Sequence, residues 1–198
     1  MAGVTVPAPR WPELQPLTAD HEAAALAFEL ANRSYFSVSI SDRGQEYFER
    51  FAELHAEALA EQETGECAYY VLVADDGSII GRFNLRSITE GSAVLGYRVA
   101  QHVAGRGIAT ATVDQLCRDA AASLGLHLIR AATSEANVAS QRVLVKAGFV
   151  LVGPADPAEL GGKPGSWYER RVGPVDAPTD PSGRGRFAAS STESLVQT

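Results

Sequence analysis

The first 62 residues combine one short strand pattern with two helical patterns. Apolar residues at 14–18 predict a strand. Apolar positions then recur every three to four residues, which is the spacing of one helix face. They predict a helix that begins after Asp20 and a second helix over about 44–62. The stretch between these helices, which holds Tyr35 and Phe36, is expected to be a loop.

From residue 68 the hydrophobic period shortens to two, which is the period of a strand. Apolar runs at 68–74, 79–88 and 93–100 are separated by turn-forming residues at 75–78 and 91–92. Because tight turns join neighbouring strands in opposite directions, these runs predict a three-stranded antiparallel meander.

Helices and strands alternate over the rest of the chain. The expected elements are a helix at about 106–124, a strand at 127–133, a helix at 137–147, strands at 149–152 and 167–172, and a loop at 154–166. A strand–helix–strand step among antiparallel strands requires a right-handed crossover between two parallel strands. The pattern therefore predicts an α+β domain whose sheet is mixed but mostly antiparallel, with about seven strands.

The composition is that of one globular domain with polar ends. The chain has 198 residues, of which 45% are hydrophobic and 21% charged. We expect a loose, proline-rich lead-in at 1–13, a domain at 14–172, and a disordered polar tail at 173–198, where apolar residues are scarce.

Charge and cysteine content exclude several classes of protein. The formal net charge of −7 would repel a phosphate backbone, so we expect no nucleic-acid partner. Cys67 and Cys117 are too few for a disulfide framework, and the four histidines lack metal-ligand spacing, so no metal is expected. The chain shows neither a signal peptide nor about 18 consecutive apolar residues, which predicts a cytoplasmic protein without a membrane partner.

The segment 105–110 (GRGIAT) joins a predicted strand directly to a predicted helix. Gly105 and Gly107 let main-chain amides approach an anion, and the first turn of a helix leaves amides unpaired. This arrangement suits a diphosphate, although two such glycines can equally form a tight turn and nothing more. A dinucleotide fingerprint would need a third glycine where Thr110 stands, and the lysine of a P-loop is missing.

Two motifs in this order resemble a known family. The segment 105–110 is followed, about 30 residues later, by 137–149 (NVASQRVLVKAGF). Together they resemble the GNAT superfamily of acyl-CoA-dependent N-acetyltransferases, and most of all its ribosomal-protein alanine N-acetyltransferase (RimJ/RimL) group. The resemblance implies the GNAT fold, with helices on both faces of the sheet and a split between the strands at 93–100 and 127–133.

The resemblance also implies acetyl-CoA as cosubstrate. Carried over to this chain, the contacting residues are Tyr97, Arg98, Val99, Ala104, Gly105, Arg106, Gly107, Ile108, Ala109, Thr110, Asn137 and Ser140. Ala104 departs from the family pattern, which has arginine or glutamine at this position.

The resemblance assigns catalytic roles to Ser140 and Glu159. The Ser140 hydroxyl would hydrogen-bond the departing thiolate, and Glu159 would take a proton from the acceptor ammonium through a water. Alternatively, Ser140 is a serine that favours the start of a helix, and Glu159 is a solvated carboxylate in a loop, and neither has a catalytic role. Tyr35 and Phe36 are expected to line the acceptor site. Val145 stands where many relatives have a general-acid tyrosine.

These observations predict an acetyl-CoA-dependent N-acetyltransferase that acts on a primary amine. The RimJ/RimL resemblance favours a protein N-terminal α-amine. A small-molecule amine, such as an antibiotic, an amino acid or a polyamine, stays open as the acceptor. A second function also stays open, that of a catalytically weak acyl-CoA-binding module, because Ala104 and Val145 depart from the family pattern. The chain is expected to be a monomer or a homodimer.

Overall fold

The computed structural model describes residues 12–173. Nearly all of the predicted lead-in at 1–13 and of the predicted tail at 173–198 therefore lies outside the described residues. The described part agrees with an α+β domain whose first strand begins at Glu13.

Helices and strands follow one another in the predicted order. The α-helices of the described part are α1 (Glu22–Phe36), α2 (Gly44–Glu49), α3 (Phe51–Glu63), α4 (Ile108–Ser123) and α5 (Val138–Lys146). The strands are β1 (Glu13–Pro16), β2 (Ala68–Val73), β3 (Ile79–Thr89), β4 (Ser92–Val99), β5 (Leu128–Ser134), β6 (Val150–Ala155) and β7 (Gly165–Arg171).

The seven strands form one sheet in the order β1-β2-β3-β4-β5-β7-β6. Every neighbouring pair is antiparallel except β4 and β5, which are parallel because α4 carries the chain from one to the other. The mixed, mostly antiparallel sheet predicted from the alternating patterns is thereby confirmed.

Helices cover both faces of the sheet. Arg82 on β3 pairs with Arg98 on β4, and both contact Glu29 of α1, so these residues point to one face, here called the α1 face. The next residues along the strands point the opposite way. Tyr97 accordingly contacts Ser140 of α5 on the other side, here called the α5 face.

The hydrophobic core lies between the sheet and these helices. Most of its largest fully buried side chains come from strands β2, β3 and β5 and from helices α4 and α5, and they include Val71, Leu72, Phe83, Leu85, Val113, Leu116, Ile129 and Leu144. Cys117 is fully buried among them on the apolar face of α4, as its position in the helical pattern suggests.

Two helix predictions were wrong in detail. The helix α1 continues to Phe36, so Tyr35 and Phe36 belong to its last turn and not to a loop. Phe36 is buried and its ring packs 5.4 Å from that of Phe28, a contact that favours helix beyond the weak local pattern. The predicted helix over 44–62 is divided at Arg50, whose backbone leaves helical geometry (φ −98°, ψ 16°).

The predicted loop at 154–166 is shorter than expected. Strand β6 extends to Ala155, a single 3₁₀ turn covers Pro157–Leu160, and β7 begins at Gly165. Strands β6 and β7 extend into the predicted loop because they pair with each other there. The prolines and glycines of this segment weaken the strand pattern in the sequence, but they do not prevent pairing at the edge of the sheet.

Candidate active site

A slot opens through the sheet between β4 and β5. These strands pair only from Ser92 to Val94 on β4. Beyond Val94, β4 stays paired with β3 as far as Val99, and β5 stays paired with β7 as far as Ser134. Main-chain groups of β4 that face β5 therefore lose their ladder partners, which makes them available to a ligand. The split expected between these strands is present.

Gly105 and Gly107 lie in the loop that leads from β4, at the border of the slot, to helix α4. Gly105 and Gly107 have φ values of +76° and +80°, a region that glycine adopts without strain. A Cβ atom at either position would meet no atom within 4 Å, so the space beside this loop is open. The tight turn that the sequence allowed is thus formed, and it leaves room for a ligand as well.

Helix α4 begins directly after this turn. Its first main-chain hydrogen bond runs from Ala111 N to Gly107 O at 3.0 Å. The amides of Ile108, Ala109 and Thr110 consequently have no intrahelical acceptor, and the helix dipole adds positive potential beside them. The turn and these amides, residues 105–110, are called the cradle below. Arg106 is exposed next to it.

The structure brings together Tyr97, Asn137 and Ser140 across the slot. Asn137 caps helix α5 by accepting a hydrogen bond from Ser140 N at 3.1 Å. The Ser140 hydroxyl lies 3.0 Å from the Tyr97 hydroxyl. Three residues that the resemblance placed near acetyl-CoA therefore share one site, with the two hydroxyl groups in direct contact.

Sequence reasoning missed the side chain of Tyr97, because it considered only the main chain of this strand end. The Tyr97 ring stacks on Phe83 with centroids 5.9 Å apart and planes within 9°. Burial raises the pKa of Tyr97 to about 12, so the phenol keeps its proton at neutral pH. Strand alternation was the available signal, since it places Tyr97 on the α5 face.

Val145 offers no proton donor to the slot. It is 60% exposed and lies about 140° around α5 from Ser140, given about 100° per residue. Ala104, the other departure from the family pattern, is partly buried just before the cradle and contributes no polar side chain. Neither departure from the family pattern therefore supplies a hydroxyl group, whereas Ser140 and Tyr97 do.

A buried charge network lies on the α1 face beside the slot. The Glu29 carboxylate accepts from Arg82 at 2.8 Å and from Arg98 at 2.9 Å, and all three side chains are almost fully buried. Burial lowers the pKa of Arg98 to about 10 although Glu29 opposes the shift, so the guanidinium stays charged at neutral pH. Sequence reasoning missed this network, because it joins a helix residue to strand residues that are more than 50 positions away in the chain.

The predicted acceptor residues lie close to this network. The Cζ atom of Arg98 lies over the Phe36 ring, 5.5 Å from the ring centroid. The centroids of the Tyr35 and Phe36 rings are 5.8 Å apart. Phe36 is buried and lines only a small pocket, so it contributes a wall to this region.

Glu159 lies exposed in the first turn of the 3₁₀ helix before β7. Its loop contacts the segment that follows α1, where Lys163 Nζ donates to Ser39 O at 3.1 Å. The structure thus brings the Glu159 loop to the end of α1, on the side of the sheet where Tyr35 and Phe36 lie.

Neither a metal-ligand cluster nor a membrane-spanning helix is present among residues 12–173. No three histidine, cysteine or acidic side chains there are grouped as metal ligands. No helix in this range is both long and apolar enough to cross a bilayer.

Comparison with known proteins identifies a matching family and a related protein. A family model described as an acetyltransferase (GNAT) domain matches residues 13–150. The probable N-acetyltransferase YjcK of Bacillus subtilis (strain 168) is 30% identical over 145 residues, which cover 69% of this chain and 78% of that protein.

Solved structures share the same fold. The ribosomal-protein-S5-alanine acetyltransferase from Vibrio fischeri matches with a TM-score of 0.76 and 20% identity, over 82% of this chain and 94% of that one. RimJ from Mycobacterium smegmatis, solved in complex with CoA-disulfide, matches with a TM-score of 0.72 and 25% identity, over 80% of each chain. Since the family model spans most of the sequence and the fold agrees, this chain belongs to the GNAT family of acetyltransferases and is an N-acyltransferase.

Proposed function

We propose that this enzyme transfers an acetyl group from acetyl-CoA to a primary amine, and that the amine is the N-terminal α-amine of a peptide or protein. The observation that carries the proposal is the slot between β4 and β5, together with the cradle at the start of the helix that follows β4. The region therefore offers unpaired main-chain groups of a strand, an anion site and two hydroxyl groups.

The chemistry of acetyl-CoA fits the residues along this path. Its diphosphate suits the amides of the cradle, with the exposed Arg106 nearby. The amides of its pantetheine arm suit the free main-chain groups of 97–99, and Asn137 and Ser140 face them across the slot. When bound, acetyl-CoA supplies an activated thioester. Ala104 adds no side chain here, so main-chain groups hold most of the ligand.

Ser140 and Tyr97 are proposed to deliver a proton to the leaving sulfur. As the amine forms the new C–N bond and the C–S bond breaks, the thiolate needs a proton. The Ser140 hydroxyl would give its proton to the sulfur and take one from the neutral Tyr97 phenol 3.0 Å away, and Tyr97 would regain its proton from solvent before the next turnover. A main-chain amide near Val99 would stabilise the oxyanion.

Glu159 is the proposed base. An ammonium must lose a proton before it can attack, and the Glu159 carboxylate could accept it through a water. The support is its placement, since its loop contacts the segment after α1 on the acceptor side.

The preference for a peptide α-amine is supported by the relatives. The Vibrio fischeri protein is named as acting on an alanine of ribosomal protein S5, and the Mycobacterium smegmatis protein is a RimJ. Antibiotics, amino acids and polyamines are the competing acceptors, and each belongs in the test below.

An acceptor screen tests the proposal. Thiol release from acetyl-CoA is measured with short N-terminal peptides, aminoglycosides, amino acids and polyamines, and acetylated products are identified by mass. We expect peptide-dependent release with one acetyl group per product. Preference for a small amine would overturn the acceptor assignment. Tight CoA binding without amine-dependent release would overturn the enzymatic proposal and favour a binding module.

A further inference from the structure

The α1 face of the sheet continues beyond the slot onto β5 and β7. Every second residue of β4 points to this face, and Val94 is one of them. Val94 pairs with Arg130 of β5, so Arg130 and Ala132 also point to the α1 face. Glu169 and Trp167 of β7 pair with these two residues and lie on the same face. A row of side chains therefore leads from the slot across two strands.

This part of the α1 face is less covered than the opposite side of the same strands. The residues of β5 and β7 that point to the α5 face are buried, namely Ile129, Ala131, Thr133 and Tyr168. Those that point to the α1 face are only half-buried, and the side chains of Arg130 and Glu169 are 40% and 30% exposed. The α1 face of β5 and β7 is called the open half below. A ligand that enters the slot from the α1 face can rest on it.

Trp167 stands among small residues on the open half. Its cross-strand partners are Ala132 on β5 and Gly153 on β6, and Gly165 lies two positions before it on the same face. Because these neighbours have little or no side chain, they leave the indole ring without large flanking groups. Trp167 therefore presents a flat apolar surface one strand away from the slot.

The charges beside Trp167 offset each other. The Arg130 guanidinium lies over one face of the indole, with its Cζ atom 4.5 Å from the ring centroid. Arg130 Nε in turn lies 2.9 Å from Glu169 Oε1. The pair attracts neither an acidic nor a basic side chain by net charge, and Arg130 already occupies one ring face as a cation–π partner. An apolar or aromatic side chain still gains by burial and by stacking on the indole.

Trp167 lies on the acceptor side of the slot. The 3₁₀ turn that holds Glu159 leads directly into β7, and a Cβ atom at Gly165 would clash with the Leu160 side chain of that turn. Neighbouring strands are about 4.8 Å apart, so β7 lies roughly 10 Å from the slot, which is the span of about three extended residues. An acceptor whose amine is in the slot would thus bring its second or third side chain to Trp167.

We propose that Trp167 is a specificity-determining residue, which packs against an apolar or aromatic side chain at the second or third position of the peptide acceptor. This inference rests on the acetyl transfer proposed above. It adds the class of side chain that the enzyme selects and the residue that selects it, with Arg130 and Glu169 holding the indole in place.

A set of matched peptides tests this selection. Tetrapeptide amides begin with alanine and carry glycine, leucine, phenylalanine, lysine or glutamate at position two or three, with glycine elsewhere. In the wild type we expect kcat/KM to be about tenfold higher with phenylalanine or leucine than with glycine at one of the two positions. In Trp167→Ala this ratio should fall below about twofold, and in Trp167→Phe it should lie between the two.

Leu151→Ala is the matched control. Leu151 is 62% exposed on β6 and pairs with Tyr168, so it lies beside Trp167 in the sheet but on the α5 face. This variant should keep the wild-type ratio. CoA affinity, measured by calorimetry, should be the same in all variants, which shows that the fold is intact. If Trp167→Ala binds CoA more weakly, Trp167→Phe and the wild-type preference decide the question.

Peptide binding to the CoA-loaded enzyme separates this inference from the proposed function. Acetylation of all peptides at equal rates, a wild-type preference for lysine or glutamate, or an undiminished preference in Trp167→Ala would overturn the role of Trp167 and leave peptide acetylation standing. Tighter calorimetric binding of the phenylalanine peptide that depends on Trp167, without acetylation of any peptide, would overturn the proposed function and leave the role of Trp167 standing.

Discussion

The hydroxyl groups of Tyr97 and Ser140 lie 3.0 Å apart, although 43 residues separate them in the chain. Tyr97 comes from the strand that borders the slot, and Ser140 comes from the first turn of the helix on the α5 face. The contact joins a buried, neutral phenol to a serine hydroxyl. In the proposed mechanism this contact is a short donor chain that ends at the slot.

Replacing these two residues should affect turnover to different degrees. Ser140→Ala removes the direct donor, and we expect kcat to fall about 10²–10⁴-fold, the usual contribution of a positioned acid. Tyr97→Phe keeps the ring stacked on Phe83 and removes one hydrogen bond, so we expect a loss of about tenfold, or roughly 1.4 kcal/mol. CoA affinity, measured by calorimetry, should fall less than turnover in both. Wild-type turnover by Ser140→Ala would exclude the proposed role.

The pH dependence of the Tyr97→Phe effect gives an independent check. Because the pKa of Tyr97 is raised to about 12, the phenol is protonated throughout the range from about pH 7 to pH 10. The ratio of wild-type to Tyr97→Phe turnover should therefore be constant in that range. A ratio that approaches one near pH 9 would show that Tyr97 ionises earlier and donates no proton above that pH.

A negative charge in the cradle should prevent CoA binding. Gly107→Glu places a carboxylate beside the helix amides that are proposed to hold the diphosphate, and we expect loss of calorimetric CoA binding. Gly125→Glu is the matched control, because Gly125 also has a positive φ (+64°) and open space around it but lies at the far end of α4. Equal CoA affinity in the two variants would contradict the diphosphate assignment.

Glu159→Gln should shift the pH dependence of the reaction. If Glu159 removes the ammonium proton, its loss lowers kcat/KM most where the acceptor is protonated, below an α-amine pKa of about 8. Activity should recover as the pH rises through that value. Glu63→Gln, at another exposed glutamate, serves as control and should keep the wild-type profile. A Glu159→Gln profile that parallels wild type would remove Glu159 as the base.

The buried Glu29 network should dominate the stability of the α1 face. Glu29→Gln leaves Arg82 and Arg98 without a buried counter-charge, and we expect a loss of roughly 3–5 kcal/mol in the free energy of unfolding. The exposed pair of Glu46 and Arg50 provides the comparison, and Glu46→Gln should not change the urea midpoint measurably. Similar midpoints for both variants would show that Glu29 is not needed to balance the arginines.

The two cysteines should differ in reactivity. Cys117 is fully buried, and burial raises its pKa to about 11, whereas Cys67 is partly exposed. Only the thiolate reacts with alkylating reagents. At pH 8 we expect iodoacetamide to modify Cys67 alone in the folded protein and both cysteines in guanidinium. Rapid modification of Cys117 without denaturant would show that α4 separates from the sheet.

Local patterns explain why much of the architecture could be predicted. A hydrophobic period of two or of 3.6 reports which face of an element is buried, so strands such as β3 and helices such as α4 were predicted within a few residues. The cradle was predictable for a related reason, since two nearby glycines and a helix start are features of one short segment. The extent of α1 was missed because the packing of Phe36 on Phe28 and beneath Arg98, not local preference, supports its last turn.

By itself, the amino-acid sequence determined the order of the elements, the mixed sheet and the position of the cradle, because each depends on residues close together in the chain. Only the tertiary structure decided which distant side chains meet. It placed Tyr97 against Ser140 and enclosed Glu29 between two arginines. Such contacts depend on strand register and helix placement, which position each side chain to within a few ångströms and which no local pattern specifies.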